Sequence, residues 1–349
     1  MMSVFEHSEY DGHEHVAFYQ DKTTGLKAII AVHNSNLGSA LGGCRMWPYG
    51  SDEEALRDVL RLSKGMTYKA AMAGLKQGGG KAVIIGNPRT EKTIEKMLSM
   101  GKFIDSLSGQ YISAEDSGLT VDDLKVMSRQ TKYVSGIHAN YHINSEPADG
   151  NPAPSTAYGV YVGLKTSVEH VMKSDLKGVK VAIQGLGHVG TRLARHLHKK
   201  GVKLFVTDMH PENIEKAVTE FSATAVSPED IYDLDVDVFA PCAMGAILNA
   251  KNIARLKVKV VAGAANNQLA KEECGQLLVD KGILYAPDYV LNAGGIIDIY
   301  HQSISSSDKE LRDHIEKISD TLLEIYHRAK SQGLSTNIVA NQIAEERFG

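Results

Sequence analysis

Two lysines, an aspartate and two glycine clusters are the residues of this chain whose types and spacing could do chemistry. Lys69 and Lys81 lie twelve positions apart, and Lys81 follows directly on Gly78-Gly79-Gly80. Two ammonium groups brought together at a cleft would divide the work. One holds a carboxylate as a point charge; the other, disfavoured as a cation by its neighbour and by burial, becomes neutral enough to act as a base. The glycine triplet reads as backbone bare enough for substrate or cofactor to lie against it, with Lys81 projecting into the cleft. Asp116, in Ser113-Ala114-Glu115-Asp116-Ser117-Gly118, offers a matching carboxylate just beyond a strand end. The plain alternative is a pair of surface lysines beside a flexible loop. The strand-like run 82–85 behind the triplet argues against it.

The second cluster is Gly185-Leu186-Gly187-His188-Val189-Gly190. It follows an apolar run at 180–184 and opens a pattern in which Val189, Leu193 and Leu197 recur on one helical face. This is the strand–turn–helix setting that a G-x-G-x-x-G needs. The first glycine permits the tight turn, the second lets a pyrophosphate approach the backbone, and the third lets the helix press on the strand. The helix start contributes free amides and the positive end of its dipole. After the next strand, 203–207, comes Asp208, whose carboxylate can accept from both ribose hydroxyls and repels a 2′-phosphate. No arginine follows it, so NAD is favoured over NADP.

The elements that must position these groups fall into two halves. In the first, strand patterns at 15–20 and 26–33 flank a turn, and Ser51-Asp52-Glu53-Glu54 has the form of a capping box ahead of a helix carrying Lys69. The strand 82–85, a helix over 91–107, the strand 110–113 and a helix opening at Thr120-x-x-Asp123 follow. The stretch 138–154 is polar, lacks periodicity and carries three prolines, which marks it as a connector between domains. Beyond it, strands at 180–184, 203–207, 236–240, 258–262 and 283–286 alternate with helical patterns, the signature of a parallel sheet. Residues 308–332 read as one amphipathic helix packed on its own chain. The expected fold is therefore α/β, with two domains separated by a cleft and a Rossmann-type doubly wound sheet in the C-terminal half. The division is 1–145 for substrate binding and oligomerisation and 146–332 for NAD, with a terminal helix near 333–349 returning to the first domain.

Bulk properties exclude several classes. The 349 residues suffice for two cores, and a net charge of −4 provides no attraction to nucleic acid or to an anionic membrane. The start of the chain is polar and acidic, unlike a signal peptide, and no apolar run approaches the ~20 residues that span a bilayer. Cys44, Cys242 and Cys274 have no paired spacing and read as reduced thiols of a cytoplasmic protein. His13-x-His15 could place two imidazoles together, but no third ligand is near, so no metal is expected.

The stretch L-x-x-G-G-G-K-x-V-x-x-x-N-P at 75–88 resembles the active-site signature of the glutamate/leucine/phenylalanine/valine dehydrogenases. Segments in the same order along nearly the whole chain look like those of its leucine dehydrogenases: LKAIIAVHN, ALGGCRMW, KGMTYKAA, YISAED, NPAPSTAYGVY, FAPCAMGA, VAGAANNQL, ILYAPDYV and NAGG. The resemblance implies that Lys69 and Asn292 bind the substrate α-carboxylate, that Lys81 is the catalytic lysine, and that Asp116 is its partner in proton handling. It further implies that Thr156 holds the nicotinamide amide while Cys242, Ala243 and Asn266 line the cofactor cleft. The implied reaction is reversible oxidative deamination of an L-amino acid to a 2-oxo acid and ammonia with NAD, by a homo-oligomer that is a dimer at least and an octamer in related enzymes.

In the run Ser39-Ala40-Leu41-Gly42-Gly43, Leu41 occupies the position that resembles the cation site of glutamate-specific relatives. An apolar wall of Leu41, Gly42, Gly43, Met66 and Ile296, with Ile299 beside it, favours leucine, valine or isoleucine, because an unpaired buried carboxylate is costly. Phenylalanine or tryptophan dehydrogenase is the alternative within the family. A non-catalytic NAD-sensing protein would be expected to lack Lys69, Lys81 or Asp116, and all three are present.

Overall fold

The computed structural model describes residues 4–137 and 151–349. Most of the expected connector, 138–150, lies outside the described residues. The first half runs β1 (His15–Asp21), β2 (Leu26–Asn34), β3 (Ala40–Trp47), α1 (Asp52–Met72), β4 (Gly78–Ile85), α2 (Ile94–Ser106), β5 (Tyr111–Glu115) and α3 (Val121–Met127). Its five strands form one sheet in the order β1-β2-β4-β3-β5. β2 is antiparallel to β1 and β4, whereas β3 runs parallel to β4 and β5.

Both faces of this sheet are covered, which is why β2 reads as a continuous apolar run instead of an alternating one. Ala28, Ile30 and Val32 face α2 and α3, packing with Met97, Met100 and Ile104. Ile29 and Ala31 face α1, against Ala55, Val59 and Leu60. β3 has no counterpart in the strand pattern read from the sequence, because its glycines and Arg45 interrupt the apolar signal.

The glycine triplet is not a loop. All three residues are buried inside β4. A Cβ on Gly78 would lie 2.1 Å from the Asn34 carbonyl oxygen, and one on Gly79 2.0 Å from the Thr67 amide nitrogen. The triplet's function is thus close approach of protein to protein, with α1 pressed onto the strand, and no bare backbone is left there for a ligand. The expected capping box at Ser51 is half formed. Ser51 accepts from the Glu54 amide, but the Glu54 carboxylate takes the Gly50 amide. The reciprocal box forms at Thr120 and Asp123.

The second half comprises α4 (Ala153–Met172), β6 (Lys180–Gln184), α5 (His188–His198), β7 (Lys203–Thr207), α6 (Pro211–Phe221), β8 (Thr224–Ala225), β9 (Val238–Pro241), α7 (Ala250–Arg255), β10 (Val260–Val261), α8 (Cys274–Asp280), β11 (Leu284–Tyr285), α9 (Asp288–Leu291), α10 (Gly294–Ser303), α11 (Asp308–Glu316), α12 (Ile318–Gln332) and α13 (Thr336–Phe348). Six parallel strands lie in the order β11-β10-β9-β6-β7-β8. The order reverses at β6, so a crevice opens beyond its carboxyl end, where the Gly185 turn lies. The helix expected over 308–332 is divided at Lys317 into α11 and α12. The helix expected from 91 starts at Ile94, where Thr93 caps it. α4 begins inside the stretch read as connector: Pro152 is its N-cap and Pro154 lies in its first turn, where a missing amide costs nothing.

α13 packs against α1 and α12. Three side chains from this end of the chain take the last carbonyls of α1, which have no partner within the helix. Arg347 donates to Ala71 and Met72, Thr321 to Met72, and His314 Nε2 lies 2.7 Å from the Ala73 oxygen. Among the described residues no helix is long and apolar enough to cross a membrane.

Candidate active site

Lys81 projects from β4 and donates to the Asp116 carboxylate at the end of β5. β3 passes between them with glycines where side chains would obstruct. A Cβ on Gly43 would lie 2.7 Å from Asp116 Cβ and 3.2 Å from Lys81 Nζ, and one on Gly42 1.7 Å from the Gly80 oxygen. Lys81 is 6% exposed, so this ion pair is largely withdrawn from water. Asp116 Oδ1 accepts from the Ser117 amide at 2.7 Å, and its Oδ2 also has Arg45 Nε at 3.3 Å. Burial opposes the Asp116 charge. Lys81, Arg45 and the hydrogen bonds outweigh it and hold the carboxyl well below the usual carboxylate range.

Lys69 comes from the last turn of α1. Its Nζ lies 3.4 Å from Asn266 Oδ1, which belongs to the other half of the chain. Asn292, between α9 and α10, donates to that same oxygen at 2.8 Å and to the Ala264 carbonyl at 3.1 Å. Burial lowers Lys69 to about 8, with Asp288 opposing the shift and Lys81 adding to it. The buried Asp288 accepts from the Gln268 and Tyr289 amides and so pins the loop that carries Asn266.

These groups share a cleft of about 630 Å³. Leu41, Met66, Ala114, Ile296 and Ile299 line it on the apolar side, together with Gly42 and Gly43; Thr156, Val189 and Asn266 line it from the second half of the chain. Lys69, Lys81 and Asp116 are therefore brought together, as their residue types suggested, and Asn292 joins them, as the resemblance implied. Arg45 and Asp288 were not singled out by sequence reasoning. Each is a charge set in an apolar stretch, and a buried charge requires a partner; that signal was available.

The glycine turn fits a dinucleotide by its clearances. Gly185 has φ +100°, and a Cβ there would lie 2.6 Å from that of Ala243. A Cβ on Gly190 would lie 2.0 Å from the Gly185 oxygen, so this glycine lets α5 close onto the turn. Gly187 is different: it caps the start of α5, and nothing lies within 4 Å of its Cβ position. Leu186 is buried and donates its amide to Asp208 Oδ2 at 2.5 Å, while Asp208 Oδ1 accepts from the His210 amide and Asn213. Burial opposes the Asp208 charge, but those donors lower its carboxyl. Cys242 and Ala243 follow β9 and support the turn from behind; the Cys242 amide bonds the Gln184 oxygen, and burial raises its thiol to about 12. His188 is exposed and helps line a second hollow with Asp116 and Lys125. Thr156 donates to the Pro152 carbonyl at the cleft's edge. His13 is buried against the Leu60 carbonyl and Ser63, whereas His15 is exposed, so the two imidazoles are not presented together.

The chain is similar to known proteins over almost its whole length. Residues 13–133 match the model of the Glu/Leu/Phe/Val dehydrogenase dimerisation domain, and 151–210 with 207–347 that of Glutamate/Leucine/Phenylalanine/Valine dehydrogenase. Leucine dehydrogenase of Thermoactinomyces intermedius is 48% identical over 99% of this chain and 94% of its own length. L-tryptophan dehydrogenase of Nostoc punctiforme is 49% identical over 99% of this chain and 96% of its own length. The crystal structure of L-tryptophan dehydrogenase from that organism superposes with a TM-score of 0.85 at 47% identity, covering 97% of this chain and 96% of that one. With a lysine pair and an aspartate at the mouth of a dinucleotide fold, and matching sequence over almost its whole length, the chain belongs to the glutamate/leucine/phenylalanine/valine dehydrogenase family of oxidoreductases.

Proposed function

We propose that the protein catalyses the NAD-dependent, reversible oxidative deamination of branched-chain L-amino acids, leucine foremost and also valine and isoleucine, to 2-oxo acids and ammonia. The observation that carries this reading is the convergence of Lys69, Lys81, Asp116 and Asn292 on one cleft with an apolar wall at Leu41.

Bound NAD supplies the hydride acceptor. Gly185, Leu186, Gly187, His188, Val189 and Gly190 would hold its pyrophosphate, Asp208 its ribose, and Thr156 with Asn266 its nicotinamide end; Cys242 and Ala243 would back the turn. Asp208 favours NAD because a 2′-phosphate would meet a carboxylate fixed by three donors. Lys69 and Asn292 would bind the substrate α-carboxylate, fixing the α-carbon for hydride loss. Once that carbon has become an iminium, a water molecule adds to it. Lys81 Nζ takes the proton from that water, and Asp116 then helps return it to the departing amine as ammonia leaves and the carbonyl forms. Leu41, Met66, Ile296 and Ile299 exclude water from the side-chain pocket and provide no cation for an acidic substrate.

The division of labour at residue 145, the return of 333–349 to the first half, and assembly into a homo-oligomer are part of this reading. The dimerisation-domain match over 13–133 supports the last. The similarity to L-tryptophan dehydrogenase favours a second substrate, an aromatic amino acid. A rate panel with leucine, valine, isoleucine, phenylalanine and tryptophan, following NADH absorbance and ammonia release together, tests both readings. Stoichiometric turnover fastest on leucine is expected. No turnover on any of the five would overturn the proposal. Lys81→Ala should abolish turnover while leaving NADH binding intact.

A further inference from the structure

Arg45 lies on β3, two residues beyond Gly43, and is held from two directions. Its Nη1 donates to Asp58 Oδ2 of α1 at 3.0 Å, and its Nε stands 3.3 Å from Asp116 Oδ2. Asp58 is itself fixed. The Tyr49 hydroxyl donates to its Oδ2 at 2.8 Å and Arg61 to its Oδ1 at 3.1 Å. The Arg45 side chain is three-quarters buried, so this is not a surface ion pair free to drift. Asp116 Oδ2 therefore serves two cations at once, Lys81 and Arg45.

We propose that Arg45, clamped by Asp58, is a positioning residue that keeps the Asp116 carboxylate oriented and charge-compensated while Lys81 gives up and regains its proton. The proposal rests on the reading of Lys81 as the base. If Lys81 and Asp116 stood alone, removing the lysine proton would leave an uncompensated carboxylate in a confined site, which is costly. With Arg45 on the same oxygen, the carboxylate keeps a counter-charge in both states of the lysine. Arginine suits the task because its guanidinium stays protonated throughout and its fork can engage two carboxylates at fixed angles.

The other groups facing the pair do not duplicate this. Cys44 on β3 and Tyr111 on β5 are both raised by burial and stay neutral. Tyr49 is likewise raised by burial and its bond to Asp58. Glu115, the residue before Asp116, is exposed to solvent. Lys69, on α1 with Asp288 across the cleft from it, must be charged to hold a carboxylate. Its loss of charge near 8 therefore belongs to the descending side of a rate profile, not the ascending one.

The test is the pH dependence of kcat/KM for Arg45→Gln, Arg45→Lys and Asp58→Asn, measured with whichever amino acid the wild-type protein turns over fastest. Its outcome therefore does not depend on leucine being the substrate. Removing the guanidinium makes it harder to take a proton from Lys81, so in Arg45→Gln the ascending limb should move to higher pH by about one unit. Arg45→Lys, which keeps a cation at this position, should shift the limb by less, and so should Asp58→Asn, which loosens the clamp while leaving the guanidinium in place. Arg45 also borders a hollow of about 570 Å³ lined by Trp47, Tyr49 and Asp58. Millimolar guanidinium should accordingly rescue Arg45→Ala. An unmoved limb in Arg45→Gln, with activity lowered equally at every pH and no rescue by guanidinium, would overturn the proposal.

Discussion

Gly79 and Thr67 are in backbone contact: the position a Cβ would take on Gly79 is 2.0 Å from the Thr67 amide nitrogen. That contact lets α1 lie directly on β4, and it sets the distance between the two lysines, since Lys69 is two residues beyond Thr67 and Lys81 two beyond Gly79. Gly79→Ala should therefore damage stability and geometry together. The neighbouring atom is helical backbone and cannot swing aside, so a loss of about 3 kcal/mol or more is expected. Urea unfolding checks it, and a change under about 1 kcal/mol would show that α1 can shift without cost.

Gly187 makes the opposite prediction. No atom lies within 4 Å of its Cβ position, so Gly187→Ala should leave the melting temperature where it is. The added methyl would stand where a pyrophosphate approaches the helix start, and NAD affinity should fall by about tenfold or more. Calorimetric titration with NAD measures this directly; undiminished affinity would mean that the pyrophosphate lies elsewhere.

Lys69 carries a pH dependence whose sign follows from its burial. Its charge is present below about 8 and lost above it. Binding of a non-reacting aliphatic carboxylate such as 4-methylpentanoate, which does not itself titrate in this range, should be constant on the acid side. Above the titration it should weaken about tenfold per pH unit. Lys69→Gln should bind the same anion weakly and without that slope. A slope retained in the variant would assign the titration to another group.

Leu41 is 1% exposed and stands at the apolar side of the cleft. Leu41→Ala enlarges the pocket, so the ratio of kcat/KM for phenylalanine over leucine should rise by about 10- to 100-fold. An unchanged ratio would move the discriminating wall to Met66 or Ile299.

What could be read from the residues, and what could not, divides along the range of the interactions. The turn at Gly185–Gly190 is a local object, with strand, helix and acid all within 29 residues, and it was legible as a turn between strand and helix, with Gly185 at positive φ and Gly190 in close approach. The lysine pair and Asp116 stood out by residue type, and the fold brings them to one cleft. The reason for the glycines before Lys81 was not legible. Their partners, Asn34, Thr67 and Tyr111, come from three separate elements, and no local pattern announces such contacts. β3 was missed for a related reason: its Gly42 and Gly43 are small for the sake of Gly80, Asp116 and Lys81, and the smallness erased the strand signal. Glu54 took the Gly50 amide instead of the Ser51 amide, a choice between adjacent donors that spacing cannot make. The break at Lys317 lay in an uninterrupted periodic pattern and gave no sign of itself.

The capping of α1 by Arg347, Thr321 and His314 has a consequence for the order in which the molecule can be completed. Lys69 sits a single turn before carbonyls that residues 314–347 must satisfy. During synthesis the first sheet emerges well before those residues do. The helix bearing the lysine gains the last of these contacts, from Arg347, only after α13 has left the ribosome. Nascent chains stopped short of residue 336 should therefore hold the glycine turn beside an α1 whose end lacks its Arg347 bonds, so that the two sides of the cleft are completed at different times.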